Sequence, residues 1–305
     1  MTWPPILVRY GEIGIKSRSV RIQFEKILLD RIEEQLVRRG VEAEVVRREG
    51  RLHVRASDVE RAMDALRHTF GVVSASPAIE CAPTMDAVSA VAAEVARELY
   101  PDGGAFAMRV KRSGTHSFTS LDVAKAAADA VFKAVPDRQP RVDLTAPDLT
   151  IHVEIRDAEA FVFTRTDPGP GGLPLGSQGR VGVLVDSPRA AHAAWLMGKR
   201  GSGLWFWAPE PARAEAWLKP LEPWVPTLRM RPLEGDTRGE HYAALAVELP
   251  KHRCMALVVA DGIDEQILSR EQDAHVGVPV FRPLVGFAGK RFSQLCRDAE
   301  LPEDL

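Results

Sequence analysis

GGLPLGSQGRVGVLVDSPRAAHAAWLMGKRG, residues 171–201, decides the fold. It opens on glycine and proline, runs through Val181–Val185, and continues into a helix predicted over residues 188–199. Val-Gly-Val-Leu-Val is short and unbroken in its apolar character, which marks a parallel strand covered on both faces. Asp186 or Ser187 is the expected helix cap, and Pro188 suits a first turn. Gly201 closes the helix behind Lys199 and Arg200, whose charges complement the negative end of its dipole. Strand, turn and helix N-terminus in this order form the place where α/β proteins seat phosphate. Such a turn relies on glycines, which let bare backbone N–H groups close around the anion. Here it reads Val185-Asp186-Ser187-Pro188-Arg189, without a glycine. Pro188 brings no N–H, and Asp186 sets a negative charge where phosphate would lie. The expectation is the architecture of a nucleotide site without its chemistry.

Downstream, strand 203–207, helix 210–218, an extended piece at 227–230, helix 238–248, strand 255–260, helix 264–270, strand 278–282 and helix 290–299 alternate. That alternation predicts a doubly wound, mostly parallel sheet with its cleft at the carboxyl ends of the strands. The aromatic run Leu204-Trp205-Phe206-Trp207, with Trp217 and Trp224, reads as core and rim packing. Upstream, the run 167–179 is the plainest domain boundary in the chain.

Residues 5–80 read β-α-β-β-α-β, the order of a ferredoxin-like unit, with a turn at Glu49-Gly50. Between its first strand and first helix, Lys16, Arg18 and Arg21 gather near a helix N-terminus, where cations oppose the dipole unless an anion joins them. Residues 81–166 read as a second α/β unit: helices 84–99 and 122–134, and strands 105–111, 141–144, 149–155 and 160–164. Its densest polar feature is Arg109-Val110-Lys111-Arg112-Ser113-Gly114-Thr115-His116-Ser117-Phe118-Thr119-Ser120. Alternation along a strand puts Arg109 and Lys111 on one face. With Arg112, the hydroxyls and the following helix start, they offer what a sugar-phosphate backbone requires. Phe118 reads as a core aromatic.

At 305 residues the chain is long for one core. Net charge −2 excludes a uniformly basic coat, so polyanion binding falls to local patches. Three scattered cysteines, Cys81, Cys254 and Cys296, argue against a disulfide framework and a cysteine-rich zinc site. No apolar run approaches a membrane span, and the N-terminus lacks the layout of a signal peptide, so the expected location is cytoplasmic, with no membrane partner.

Several runs, in order along nearly the whole chain, resemble the tRNA 4-thiouridine synthetase family. Ile6-Leu-Val-Arg-Tyr-Gly-Glu-Ile-Gly-Ile-Lys16 and Phe24-Glu-Lys-Ile-Leu28 are similar to its opening strand, loop and helix. Val110 to Ser120 resembles the core of its THUMP domain. Gly171-Gly-Leu-Pro-Leu-Gly176 resembles the entry to its adenylating PP-loop domain, and Val280-Phe-Arg-Pro-Leu-Val-Gly286 that domain's late segment. The resemblance implies a ferredoxin-like domain at 1–80, a THUMP domain at 81–166, a linker at 167–179, and a degenerate PP-loop-like α/β domain at 180–305. It implies tRNA as partner, docked by its acceptor region. Arg9, Lys16, Arg18, Arg21, Arg109, Lys111, Arg112 and Ser120 are the expected RNA contacts. The family's Ser-Gly-Gly-x-Asp-Ser loop is replaced by Val185–Arg189, so no catalytic residue, metal or cofactor is expected, ATP included. Asp186, Ser187, Pro188 and Arg189 stand as the remnant of that loop. Asp261, Asp264 and Glu265 are expected to repel phosphate. The chain stops at Leu305, before the region where many members carry a sulfur-relaying cysteine, and Cys254 and Cys296 read as buried thiols. Three readings stay open: a tRNA-binding protein without thiolation activity, an active sulfurtransferase that adenylates uridine with ATP, and a protein-interaction module. Whether the chain forms a homodimer or works with a partner thiolation subunit is also open.

Overall fold

The computed structural model describes residues 3–48, 51–263 and 273–303. Two expectations, the Glu49-Gly50 turn and helix 264–270, lie outside the described residues. The described residues form three five-stranded sheets. By internal contacts it separates into two compact units, Met1–Val8, Glu42–Val59 and Ala75–Asp167, and Arg9–Val41, Glu60–Ser74 and Pro168–Leu305.

The N-terminal run gives β1 (Pro5–Tyr10), α1 (Arg18–Arg38), β2 (Ala43–Arg48), β3 (Arg51–Ala56), α2 (Val59–Arg67) and β4 (Val72–Pro77), the expected ferredoxin-like order. Its sheet has the order β10-β4-β1-β3-β2, where β10 is the two-residue strand Asp167–Pro168. Gly40, at φ +66°, closes α1 in the left-handed region that L-residues avoid, and Gly71, at φ +102°, turns the chain into β4 with its N–H donating to Gly171 O.

In the first unit, β5 (Ile79–Cys81), α3 (Met85–Leu99), β6 (Ala105–Arg112), α4 (Ser120–Ala134), β7 (Arg141–Val142), β8 (Leu149–Ile155) and β9 (Ala160–Phe163) follow. Their sheet has the order β5-β9-β8-β6-β7. Thr84 caps α3 by accepting from Ala87 N–H, and Thr119 caps α4 in a capping box with Asp122. Apolar residues of α3 and α4, among them Val88, Ala92, Val123, Ala127 and Val131, bury one sheet face with Phe106, Ile151 and Val153. β5 was not foreseen; at three residues it is too short to show alternation.

The second unit carries the C-terminal parallel sheet: β11 (Arg180–Leu184), α5 (Ala190–Lys199), β12 (Gly203–Ala208), α6 (Pro211–Leu218), β13 (Met230–Pro232), α7 (Arg238–Lys251), β14 (Cys254–Val258), β15 (Val280–Phe281) and α8 (Lys290–Ala299). Its order is β13-β12-β11-β14-β15 and every pair is parallel. Strand order therefore reverses between β11 and β14, the switch point at which open α/β sheets hold ligands. Trp207 and Trp224 are buried, as expected; Trp195 is buried too, and Trp195 and Trp224 pack on Phe70.

The run before β11 is not a free tether. Leu173 N–H donates to Lys199 O, Gly171 N–H to Val72 O, and Gly203 N–H to Gly179 O. Gly172, at φ +76°, lies so close to Lys199 that an added Cβ would sit 2.0 Å from its carbonyl oxygen.

Candidate functional site

In the first unit, β6 presents the cations by strand alternation. Met108 and Val110 pack toward the helices, while Arg109 and Lys111 are exposed on the opposite face. Short β7 covers β6 only at Ala105 and Phe106, leaving the cationic half of that edge open beyond it. Arg109 Nη2 donates to Leu144 O at 2.5 Å, and Arg112 Nη1 donates to Gly114 O at 3.1 Å. The exposed Lys111 ammonium has no ion-pair partner among the described residues. The following loop is held rather than loose. Ser113 N–H donates to Ile155 O, Thr115 N–H to Asp157 Oδ1 at 3.0 Å, and Gly114 adopts φ +89° against Asp157. His116 stacks on Phe118, which joins the core beneath, so this histidine supports the loop. Ser120 opens α4 with its cap already supplied by Thr119.

In the second unit, Lys16, Arg18 and Arg21 lie at the start of α1, with Arg9 half-buried near the end of β1. Ser17 is the N-cap residue but makes no side-chain capping bond, and the first turn holds no acid. Neither Lys16, Arg18 nor Arg21 has an ion pair among the described residues. A helix start without a side-chain cap and with added cations has the chemistry to accept an external anion. The loop ahead of it is anchored by Arg200 Nη1 to Glu12 Oε1 at 3.1 Å. The eight expected contacts thus form two patches, Arg109, Lys111, Arg112 and Ser120 in one unit and Arg9, Lys16, Arg18 and Arg21 in the other.

At the switch point, the turn after β11 has none of the glycines of a phosphate cradle, and Pro188 removes one of its N–H groups. Val185 N–H donates to Trp207 O, and the amides of Ala190, Ala191 and Ala193 donate to Ser187, Pro188 and Arg189 carbonyls. Helix α5 starts at Ala190, two residues later than expected, and no side chain caps it. Pro188 and Arg189 instead form a turn, so neither Asp186 nor Ser187 is the cap. The Arg189 guanidinium lies 5.3 Å from the Phe292 ring centroid, occupied in a cation–π contact.

Asp186 keeps exposed surface on one side, yet the protein packed around its carboxyl raises its pKa. Burial is the largest cause and Asp261 adds to it, against the opposing pull of Arg238, its own amide and His241. Asp261 does not stand as the bare repulsive acid expected from sequence. Arg238 Nη2 donates to its Oδ1 at 2.5 Å and Arg282 Nε to its Oδ2 at 3.0 Å. Arg282 also grips Asp273 with both terminal nitrogens at 2.7 Å each. Burial disfavours the Arg238 charge, but the hydrogen bond and charge of Asp261 outweigh it and raise its pKa. Asp264 and Glu265 lie outside the described residues.

The donors an ATP phosphate would need are few here: Val185 N–H is spent on Trp207 O, Pro188 has no N–H, and the nearby Arg238 and Arg282 guanidiniums already hold carboxylates. Arg238 and Asp273 escaped the sequence reading. A cation at the first position of α7, against the dipole and inside a Thr237–Glu240 capping box, was the available signal. Among the described residues no helix is long and apolar enough to cross a membrane, and no cluster of three or more metal-ligating side chains occurs.

Comparison with known proteins agrees with this architecture. The ThiI ferredoxin-like domain model matches residues 5–76 and the THUMP domain model residues 82–165. A probable tRNA sulfurtransferase of Halobacterium salinarum is 38% identical over 339 aligned residues, covering 98% of this chain and 85% of the relative. The tRNA sulfurtransferase of Thermoplasma acidophilum is 31% identical over 92% of the chain and 63% of its own length. Two solved structures share the fold. PH1313 from Pyrococcus horikoshii Ot3 has a TM-score of 0.85 at 24% identity, covering 98% of this chain and 100% of its own. A 4-thiouridine synthetase solved as an RNA complex with bound ATP has a TM-score of 0.79 at 19% identity, over 98% and 84%. With its domain order and near full-length similarity accounted for, the chain belongs to the tRNA sulfurtransferase family.

Proposed function

We propose that this protein binds tRNA, docking the acceptor region through a ferredoxin-like domain at residues 1–80 and a THUMP domain at 81–166, while a third domain at 180–305 serves as a scaffold without ATP-dependent thiolation. The observation that carries the RNA-binding half is the exposed Lys111, without an ion pair among the described residues, beside Arg109 and Arg112 on β6 beyond its pairing with β7. Those cations contact backbone phosphates, and Lys16, Arg18, Arg21 and Arg9 supply a second phosphate-binding patch. Support also comes from the relative solved with RNA. The loss of thiolation rests on the turn 185–189, because electrostatic stabilisation of departing pyrophosphate needs donors fixed in advance, and losing one such donor costs about 10²–10³ in rate.

Filter binding of Lys111→Ala to tRNA across salt concentrations tests the first half. Removing one phosphate contact weakens binding to all tRNA sequences alike and lowers the salt slope by about one. An unchanged affinity and slope rules Lys111 out as a contact. The second reading, an active sulfurtransferase whose chemistry a partner subunit completes, is favoured by membership of the family. Incubation with tRNA, ATP and a sulfide donor, followed by nucleoside analysis, separates the two; 4-thiouridine in the product supports activity.

A further inference from the structure

We propose that Asp261 is a built-in substitute for a phosphate group, and that its carboxylate closes the switch-point cleft by holding the two guanidiniums an anionic ligand would need. The inference rests on reading the third domain as free of nucleotide chemistry and names what replaced it.

The position is the first argument. Asp261 follows β14 and Asp186 follows β11, the two strands between which the order of the sheet reverses. A ligand in an open α/β sheet lies there, outside the carboxyl ends of the strands. The second argument is the geometry of the pair. Each oxygen of Asp261 takes one guanidinium, at 2.5 Å from Arg238 and 3.0 Å from Arg282, as two oxygens of a phosphate would. Asp261 and the Arg282 side chain are nearly buried, 6% and 7% exposed, and Asp273 closes the outer side of Arg282 with a two-pronged contact. The third argument is charge. Asp186, Asp261 and Asp273 outnumber Arg238 and Arg282 by three to two, so the described groups leave no cationic surplus for phosphate. Remove one carboxylate and the excess of negative charge is gone, with one guanidinium contact released for an anionic ligand.

Titration calorimetry with inorganic pyrophosphate tests this on the full chain at fixed ionic strength, using the natural protein, Asp261→Asn and Asp273→Asn. All three share the RNA-facing cations, so differences between them report on the cleft. Asp261→Asn is expected to bind pyrophosphate at least tenfold more tightly than the natural protein. Asp273→Asn, at the more exposed end of the network, gains severalfold and decides the matter if Asp261→Asn does not fold by circular dichroism. A natural protein that binds as tightly as the variants overturns the inference, and so does a folded variant set with no gain. The underlying reading fails separately, if the natural protein binds ATP.

Discussion

Asp261 and Asp186 are two carboxylates at the same end of one sheet, in opposite electrostatic situations. Asp261 has two guanidinium partners, whereas Asp186 keeps exposed surface and has its pKa raised by the protein packed against its other side. Breaking a buried ion pair strands its partners, at about 3–5 kcal/mol. Arg282 would keep Asp273 and Arg238 is 28% exposed, so Asp261→Ala should cost about 3 kcal/mol, the lower end, in urea denaturation. Asp186→Asn should leave the denaturation midpoint unchanged or higher, because its ionised form is the disfavoured one. His53 supplies a pH signature in the first unit. Burial, with Arg156, Arg48 and Arg55 nearby, lowers its pKa to about 4, against the weaker opposing influence of Glu80. The unfolded chain therefore takes up this proton first, and stability contributed by neutral His53 is lost as pH falls from about 6.5 to about 4. Thermal melts of His53→Phe should show a shallower loss across that window; an identical slope would clear His53 of the effect.

At the scale of elements, the connections are tighter than glycine and proline content suggests. Gly172→Ala forces an L-residue to φ +76° and its methyl into the Lys199 carbonyl. A loss of about 2 kcal/mol or more is expected from strain and overpacking together, read by thermal unfolding. Thr237→Ala removes one half of the α7 capping box and should cost about 1 kcal/mol. Most helices and strands were legible because their apolar residues recur at helical or strand spacing: β8 and α8 occupy the expected residues, and β6 alternates as Arg109 and Lys111 required. Short elements were not, since β5 has three residues and β10 only two, whereas β7 was foreseen but is shorter, Arg141–Val142 in place of 141–144. The start of α5 was misplaced because Pro188 suits a first helical turn and a preceding bend equally well. The absence of a glycine in the turn 185–189 was visible from sequence. What fills the cleft was not, because Arg238, Asp261, Asp273 and Arg282 come from separate segments that only the fold of the parallel sheet brings together.

For the whole molecule, a family fold retained across nearly the full chain coexists with a cleft whose turn lacks glycine and whose guanidiniums are held by carboxylates. Cationic residues gather where strand alternation and a helix start expose them, although the net charge is only −2. On this account RNA affinity and nucleotide affinity are separable, and the chain keeps the first alone. Equilibrium dialysis of labelled ATP, with magnesium, against the protein–tRNA complex tests that most directly. The account predicts that tRNA stays bound while ATP distributes equally across the membrane at cellular concentrations; retention of one ATP per chain at those concentrations would contradict it.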